Sequence, residues 1–144
     1  MNFLKNLFGS REEGKVEGSE VGPAPSPPEK PQPVTITEIS PQQLKVRLEQ
    51  ENDLVVVDLR QSWEYHAGHI PGAIHIFLQQ FSGRADELPR DKSIVLQCWH
   101  GFTSQDAAGF LIQNGWPASQ VASLRGGMAG WVQVYGSNDL EKND

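Results

Sequence analysis

The sequence contains very little cysteine: Cys98 is the only one among its 144 residues. A single cysteine cannot form an intramolecular disulfide, and the chain has no Cys/His set with the spacing of a structural zinc site. An unpaired cysteine is typical of a reducing compartment, where disulfides do not persist. The sequence therefore predicts a cytoplasmic protein without a structural metal site.

Positive charge and long hydrophobic runs are scarce too. The 12 Lys and Arg residues are outnumbered by 18 Asp and Glu residues, which gives a formal net charge of −6, and no basic cluster occurs. This balance argues against a nucleic-acid binder. The apolar run at residues 1–9 is too short to cross a membrane, and it lacks the continuous apolar segment and cleavage site of a signal peptide.

The first 33 residues differ in composition from the rest. Residues 1–9 place Phe3, Leu4, Leu7 and Phe8 on one helical face, and residues 10–33 contain six of the ten prolines. An apolar stripe of this kind is compatible with weak docking on a membrane surface or a protein, and equally with a frayed terminus whose spacing is accidental. The proline-rich segment is predicted to be a disordered linker. We therefore expect a protein that is at most peripheral to a membrane.

Residues 34–136 show strands alternating with helices, whereas residues 137–144 have the composition of a polar tail. Ser40-Pro41-Gln42-Gln43 predicts a capped helix start, with a serine cap, a proline at the first helical position and a Gln three residues after the cap. The alternation predicts an α/β domain, with a parallel β-sheet flanked by helices on both faces. The predicted strands are Val34–Ile36, Leu54–Val57, Ala73–Ile76, Ser93–Gln97 and Val121–Leu124.

Cys98 lies where a predicted buried strand ends and a helix begins. Gly101 allows a tight turn after it, and Thr103 or Ser104 can cap a helix whose apolar spacing is clear from Gln105 onward. Free backbone N–H groups and the positive end of the helix favour a thiolate at such a position. A lone cysteine is more often a small buried hydrophobe, but this position favours a nucleophile.

Three stretches, in order, resemble the rhodanese family of single-domain sulfurtransferases. They are Asp58-Leu-Arg60 with Glu64-Tyr65 and Gly68-His-Ile-Pro-Gly-Ala73, then Cys98-x-x-Gly101-x-Thr103, then Gly126-Gly-Met128-x-x-Trp131. Their order and spacing cover about residues 34–136. The resemblance implies a parallel α/β domain in which Cys98 carries a persulfide between a sulfur donor and an acceptor.

The implied chemistry fits the residues. A sulfane sulfur, such as the outer sulfur of thiosulfate, requires a soft nucleophile, and Cys98 is the only thiol. The acceptor would be a thiol, a protein or cyanide, and neither a metal nor an organic cofactor is needed. Trp99 can form a pocket wall or a docking surface, and His100 can tune the thiolate or remain an exposed spectator. The residues expected to surround the persulfide are Trp99, His100, Gly101, Phe102, Thr103 and Ser104.

Three residues outside the loop are candidates for the pocket. Asp58, at a strand end, is expected to bond backbone and shape the pocket floor. Arg60 can steer an anionic donor, although an ion pair with Glu64 is favoured. Arg125 can border the pocket or be a solvated arginine. His69 is expected to tie loops together rather than to titrate in catalysis.

Two other functions remain to be weighed. A cysteine phosphatase needs an arginine six residues beyond its cysteine, but Ser104 occupies that position and no arginine lies between Trp99 and Ala108. The other alternative is a non-catalytic or partner-specific sulfur-relay module on the same scaffold. The family often has arginine where this chain has Trp99 or Thr103, which leaves the donor open.

Overall fold

The computed structural model describes residues 35–143. The five strands are β1 (Thr37–Ile39), β2 (Val55–Asp58), β3 (Ile74–His75), β4 (Ile94–Gln97) and β5 (Val121–Leu124). The five α-helices are α1 (Pro41–Gln50), α2 (Ser62–Ala67), α3 (Leu78–Arg84), α4 (Thr103–Gln113) and α5 (Gly127–Tyr135). Single 3₁₀ turns at Ala85–Glu87 and Ala118–Gln120 precede β4 and β5.

The strands form one sheet in the order β1-β5-β4-β2-β3, and every pair is parallel. Successive residues of a strand point to opposite faces, so neighbouring valines of β2 enter different cores. Val57 packs with Leu96 of β4 and Leu111 of α4 on one face. Val56 packs on the other face with residues of α1 and α5. The predicted α/β class, with helices on both faces of a parallel sheet, is confirmed.

The start of α1 follows the predicted capping chemistry. Gln43 N donates to Ser40 Oγ at 3.1 Å, and Ser40 N donates to Gln43 Oε1 at 2.8 Å. Pro41 occupies the first turn, where its missing N–H is not needed. The helix buries Leu44 completely against the sheet.

Two local predictions were wrong. Within the described residues the first strand begins at Thr37 and excludes Ile36 of the predicted strand Val34–Ile36, because Thr37 to Ile39 is the part that pairs with Ala122 to Leu124 of β5. Helix α4 begins at Thr103, and neither Thr103 nor Ser104 caps it: Phe102 is the N-cap residue and makes no side-chain cap bond. Ser104 lies inside the first turn and is fully buried, so its hydroxyl is directed to other partners.

Residues 137–143, described from the sequence as part of a polar tail, contact the domain. His69 and Glu141 exchange two backbone hydrogen bonds, both 2.9 Å long. Leu140 packs against the core cluster beneath α5. The predicted N-terminal stripe and linker, residues 1–33, lie outside the described residues. Within residues 35–143, none of the helices has the length and apolar character required to cross a membrane.

Candidate active site

Cys98 follows the last residue of β4 directly, at the carboxyl edge of the sheet. Only 6% of its surface is exposed. Its Sγ accepts a hydrogen bond from Gly101 N at 3.1 Å, and Ser104 Oγ lies 3.5 Å away. The loop from Cys98 to the start of α4 thus surrounds the sulfur with donors from its own turn and from the first turn of the helix.

These donors change the acidity of the thiol. Burial by itself would raise the pKa of Cys98, because it penalises the charged thiolate. Hydrogen bonds from the side chains of Ser104 and Thr103 and from the backbone of Ser104 and Gly101 outweigh that effect, and the pKa lies below its usual value. The site therefore favours the nucleophilic form of the sulfur.

Backbone hydrogen bonds from the turn that begins α5 fix the position of the cysteine loop. Met128 N donates to Cys98 O at 2.8 Å, and Ala129 N donates to Trp99 O at 3.0 Å. Gly127 has a φ of +56°, and a Cβ on it would overlap the carbonyl oxygen of Cys98 and lie 2.8 Å from Gly101 N. Gly127 is therefore required here, because the two backbone segments approach within contact distance.

Ser104 links the sulfur to the neighbouring strand. Its Oγ lies 2.7 Å from the Oγ of Ser123 in β5, and both serines are completely buried. Ser123 was not among the predicted site residues. The available signal was its position as the one polar residue of the buried strand Val121–Leu124.

Asp58 and Arg60 form a buried ion pair beside the site. Arg60 Nη2 lies 2.7 Å from Asp58 Oδ2 and donates to Gly68 O at 2.8 Å. Asp58 Oδ1 also accepts from Arg60 N at 3.0 Å. Asp58 thus makes the expected backbone bond, whereas the expected Arg60–Glu64 pair is replaced by the pair with Asp58. Glu64 instead accepts from Gln61 N, at the start of α2.

The outer side of the loop is aromatic. Trp99 is 46% exposed and Phe102 is 75% exposed. Exposed His100 contacts the Trp99 ring edge-on, and the Arg60 guanidinium lies 5.7 Å from the centre of that ring. Trp99 also lines an apolar groove of about 360 Å³ between α2, α5 and the C-terminal segment.

The other predicted residues are peripheral to the sulfur. Arg125 is exposed, and its Nε lies 3.6 Å from Glu38 Oε1. His69 ties loops together, as expected: its Nδ1 lies 2.8 Å from Tyr65 O and its Nε2 lies 3.4 Å from Glu141 Oε1. The pocket candidates are therefore brought together only in part, with Asp58 and Arg60 on one side of the loop and Arg125 turned toward β1.

These features define an α/β domain whose candidate site is a single cysteine of lowered pKa, in a hydrogen-bonded loop at the carboxyl edge of a parallel sheet. Residues 40–134 match the family model of the rhodanese-like domain. This match covers well over half of the chain, and the chain belongs to the rhodanese-like domain family.

Curated relatives support the same assignment. The chain is 39% identical over 101 residues to the thiosulfate sulfurtransferase GlpE of Pseudomonas aeruginosa, covering 70% of this chain and 88% of the relative. It is 33% identical over 99 residues to the protein of the same name from Glaesserella parasuis, covering 69% and 89%. The chain is thus related to sulfurtransferases of the rhodanese type.

A solved structure shows the same fold. The crystal structure of a rhodanese-like domain protein from Staphylococcus aureus superposes with a TM-score of 0.67, covering 76% of this chain and 100% of that one. The two sequences are 24% identical, so this likeness bears on the fold alone.

Proposed function

We propose that this chain is a sulfurtransferase that carries sulfane sulfur as a persulfide on Cys98. The Cys98 thiolate attacks the outer sulfur of a donor such as thiosulfate, and sulfite leaves with the electron pair of the broken S–S bond. A thiol or cyanide then attacks the terminal sulfur of the persulfide and releases the Cys98 thiolate. The cycle needs neither a metal nor an organic cofactor.

The observation that carries this proposal is the set of donors around Cys98 Sγ. Gly101 N and Ser104 Oγ lie 3.1 Å and 3.5 Å from the sulfur. A loop with preorganised donors beside Sγ favours negative charge on sulfur, and this supports both a thiolate and an anionic persulfide at Cys98. The first turn of α4 adds its positive dipole end.

The charges around the loop favour a particular kind of donor. Arg60 is already bonded to Asp58 and to Gly68 O, and Arg125 lies toward Glu38. Both guanidinium groups thus already have acidic partners, and neither is placed to bind a small dianion such as thiosulfate. The loop instead exposes Trp99 and Phe102. This arrangement supports the second candidate, a relay module that takes sulfur from a protein persulfide and passes it to a protein or a thiol.

The decisive experiment is intact mass spectrometry of the reduced protein. After incubation with thiosulfate, or with a protein that carries a persulfide, we expect one added sulfur (about 32 Da), which cyanide removes as thiocyanate. Loading by the protein donor alone would identify the relay. The matched control is Cys98→Ser, and sulfur uptake by that variant, or uptake by neither donor, would contradict the proposal.

The phosphatase alternative has its own test. The loop contains no arginine, and a phosphoryl group would lack the bidentate partner that it requires. We expect no turnover of an aryl phosphate by the purified protein. Turnover that disappears in Cys98→Ser would favour the phosphatase over the sulfurtransferase.

A further inference from the structure

Ser123 is a buried hydroxyl that the reaction as described does not use. It lies in β5, on the face of the sheet that α4 covers, and none of its surface is exposed. Among residues 35–143, the partner of its side chain is Ser104, with an Oγ–Oγ distance of 2.7 Å. A buried hydroxyl that fails to donate its proton is costly, so this single contact determines where the Ser123 proton goes.

The direction of this hydrogen bond affects the sulfur. Each serine hydroxyl has one proton to donate and lone pairs to accept with. When Ser123 donates to Ser104, the Ser104 oxygen is the acceptor, and its own proton is free for Cys98 Sγ, 3.5 Å away. In the opposite direction, with the thiol donating to Ser104 and Ser104 donating to Ser123, the Ser123 proton loses its partner. The thiol of Cys98 can donate its own proton to Ser104, but a thiolate has none to donate, so once Cys98 is ionised only the first direction satisfies every member of the chain.

We propose that Ser123 is a positioning residue that orients the Ser104 hydroxyl toward Cys98 and thereby stabilises the negatively charged sulfur. Hydrogen bonds in a chain polarise one another, so the Ser123 donor also strengthens the bond from Ser104 to the sulfur. The same polarity suits a Cys98 persulfide, a consequence that rests on the proposed function. The orientation of Ser104 toward the sulfur does not depend on the proposed function.

The test is the pH profile of Cys98 alkylation by iodoacetamide, which needs no sulfur donor. Only the thiolate reacts, so the rate reports its fraction. We expect Ser123→Ala to react roughly two- to tenfold more slowly than the unchanged protein at pH 7, the range of one hydrogen bond, with the midpoint of the profile at higher pH. Removing a single oxygen adds no atom to the core.

A double-mutant cycle separates positioning from a general structural effect. Ser104→Ala should also raise the midpoint, and adding Ser123→Ala to it should change nothing more, because the effect of Ser123 passes through Ser104. Ser119→Ala, an exposed serine just before β5, is the matched control and should leave the profile unchanged. The ionisable side chains around the site are the same in every variant, so they do not account for a difference between the profiles. They are His100, Asp58, Arg60, Asp106, Glu38 and Arg125.

Two outcomes would overturn the proposal. One is a Ser123→Ala profile identical to that of the unchanged protein. The other is a Ser123→Ala shift of the midpoint that is equally large in the unchanged protein and in Ser104→Ala. Sulfur loading is measured on the same samples. If alkylation responds to Ser123 but no sulfur is taken up, the positioning role stands and the sulfurtransferase proposal falls.

Discussion

At the scale of single residues, the chemistry depends on the environment of one sulfur and one ion pair. Cys98 is surrounded by donors, whereas Arg60 and Asp58 neutralise each other in a buried position next to it. Both arrangements are buried, so each interaction is less screened than it would be at the surface. Two predictions belong to this scale.

The first concerns the titration of Cys98. Its pKa is lowered in the folded protein, because the hydrogen bonds from Ser104, Thr103 and Gly101 outweigh burial. The thiolate therefore persists at a pH where an unfolded cysteine, with a pKa of about 8.5, is largely protonated. This linkage stabilises the folded state above the unfolded pKa, and the contribution is lost as the pH falls through the folded pKa.

The measurement is the alkylation profile of the native protein compared with that of the same protein in denaturant. We expect the native midpoint to lie at lower pH. The denatured sample is the control for the native profile, since it contains the same single thiol. A native midpoint equal to or above the denatured one would show that burial, rather than hydrogen bonding, controls this thiol.

The second concerns the Asp58–Arg60 pair. Arg60→Ala would leave the Asp58 carboxylate fully buried without its partner, which typically costs about 3–5 kcal/mol of unfolding free energy. The matched control is Arg47→Ala, which breaks the partly exposed pair with Glu51 on α1 and should cost less than about 1 kcal/mol. Urea denaturation measures both, and equal losses would show that the buried pair is no more important than a surface pair.

At the scale of elements, the position of the cysteine loop depends on the turn before α5. The N–H groups of Met128 and Ala129 bind the carbonyls of Cys98 and Trp99, so a helix distant in sequence determines where the loop backbone lies. The closeness of the two backbones leaves no room for a side chain at Gly127.

A glycine substitution tests this dependence. Gly127→Ala should destabilise the fold by more than about 1 kcal/mol, because its φ is in the left-handed region. It should also slow sulfur loading at least about tenfold, since the new Cβ displaces the loop. Urea denaturation and the rate of mass gain measure the two effects.

The matched control is Gly83→Ala inside α3, where an added Cβ meets nothing within 4 Å. Alanine suits a helix better than glycine, and we expect a gain of about 0.5–1 kcal/mol with unchanged loading. If Gly127→Ala behaved like this control, the close approach of the two backbones would not matter for the site.

At the scale of the whole molecule, residues 35–143 contain a complete five-stranded sheet with two cores. The C-terminal segment closes against it through Leu140 and the His69–Glu141 backbone pair. The family match, residues 40–134, falls inside this range. The residues described above as forming the site also lie inside this range.

A shortened chain that starts at Val34 tests this division. We expect it to load sulfur at the rate of the full chain, because the shortened chain keeps Gly101 and Ser104, whose N–H and hydroxyl contact Cys98 Sγ. If residues 1–9 are a docking segment, the full chain should bind liposomes or a partner and the shortened chain should not. Phe3→Ser with Leu7→Ser in the full chain is the matched control for docking, and slower loading by the shortened chain would show that the N-terminal residues belong to the catalytic domain.

The sequence predicted the class of the fold and the place of the cysteine, but not the contacts around it. The Ser40 capping box and the strand that leads into Cys98 were readable because each depends on neighbouring residues. The capping role predicted for Ser104 was wrong, although its predicted place beside the sulfur agrees with the structure. A serine near a helix start usually caps it, and only the position of β5 shows that this one is bonded to Ser123.

The sequence by itself determined the order of strands and helices and the position of Cys98 at a strand end, because hydrophobic periodicity and turn chemistry act over a few residues. Only the tertiary structure decided which donors, carbonyls and charges meet there. Ser123 is 19 residues from Ser104, and the carbonyl that binds Arg60 belongs to Gly68, eight residues on. The two serines are brought together by the parallel pairing of β4 with β5, and Arg60 and Gly68 by the fold of the segment around α2. No local pattern encodes either contact.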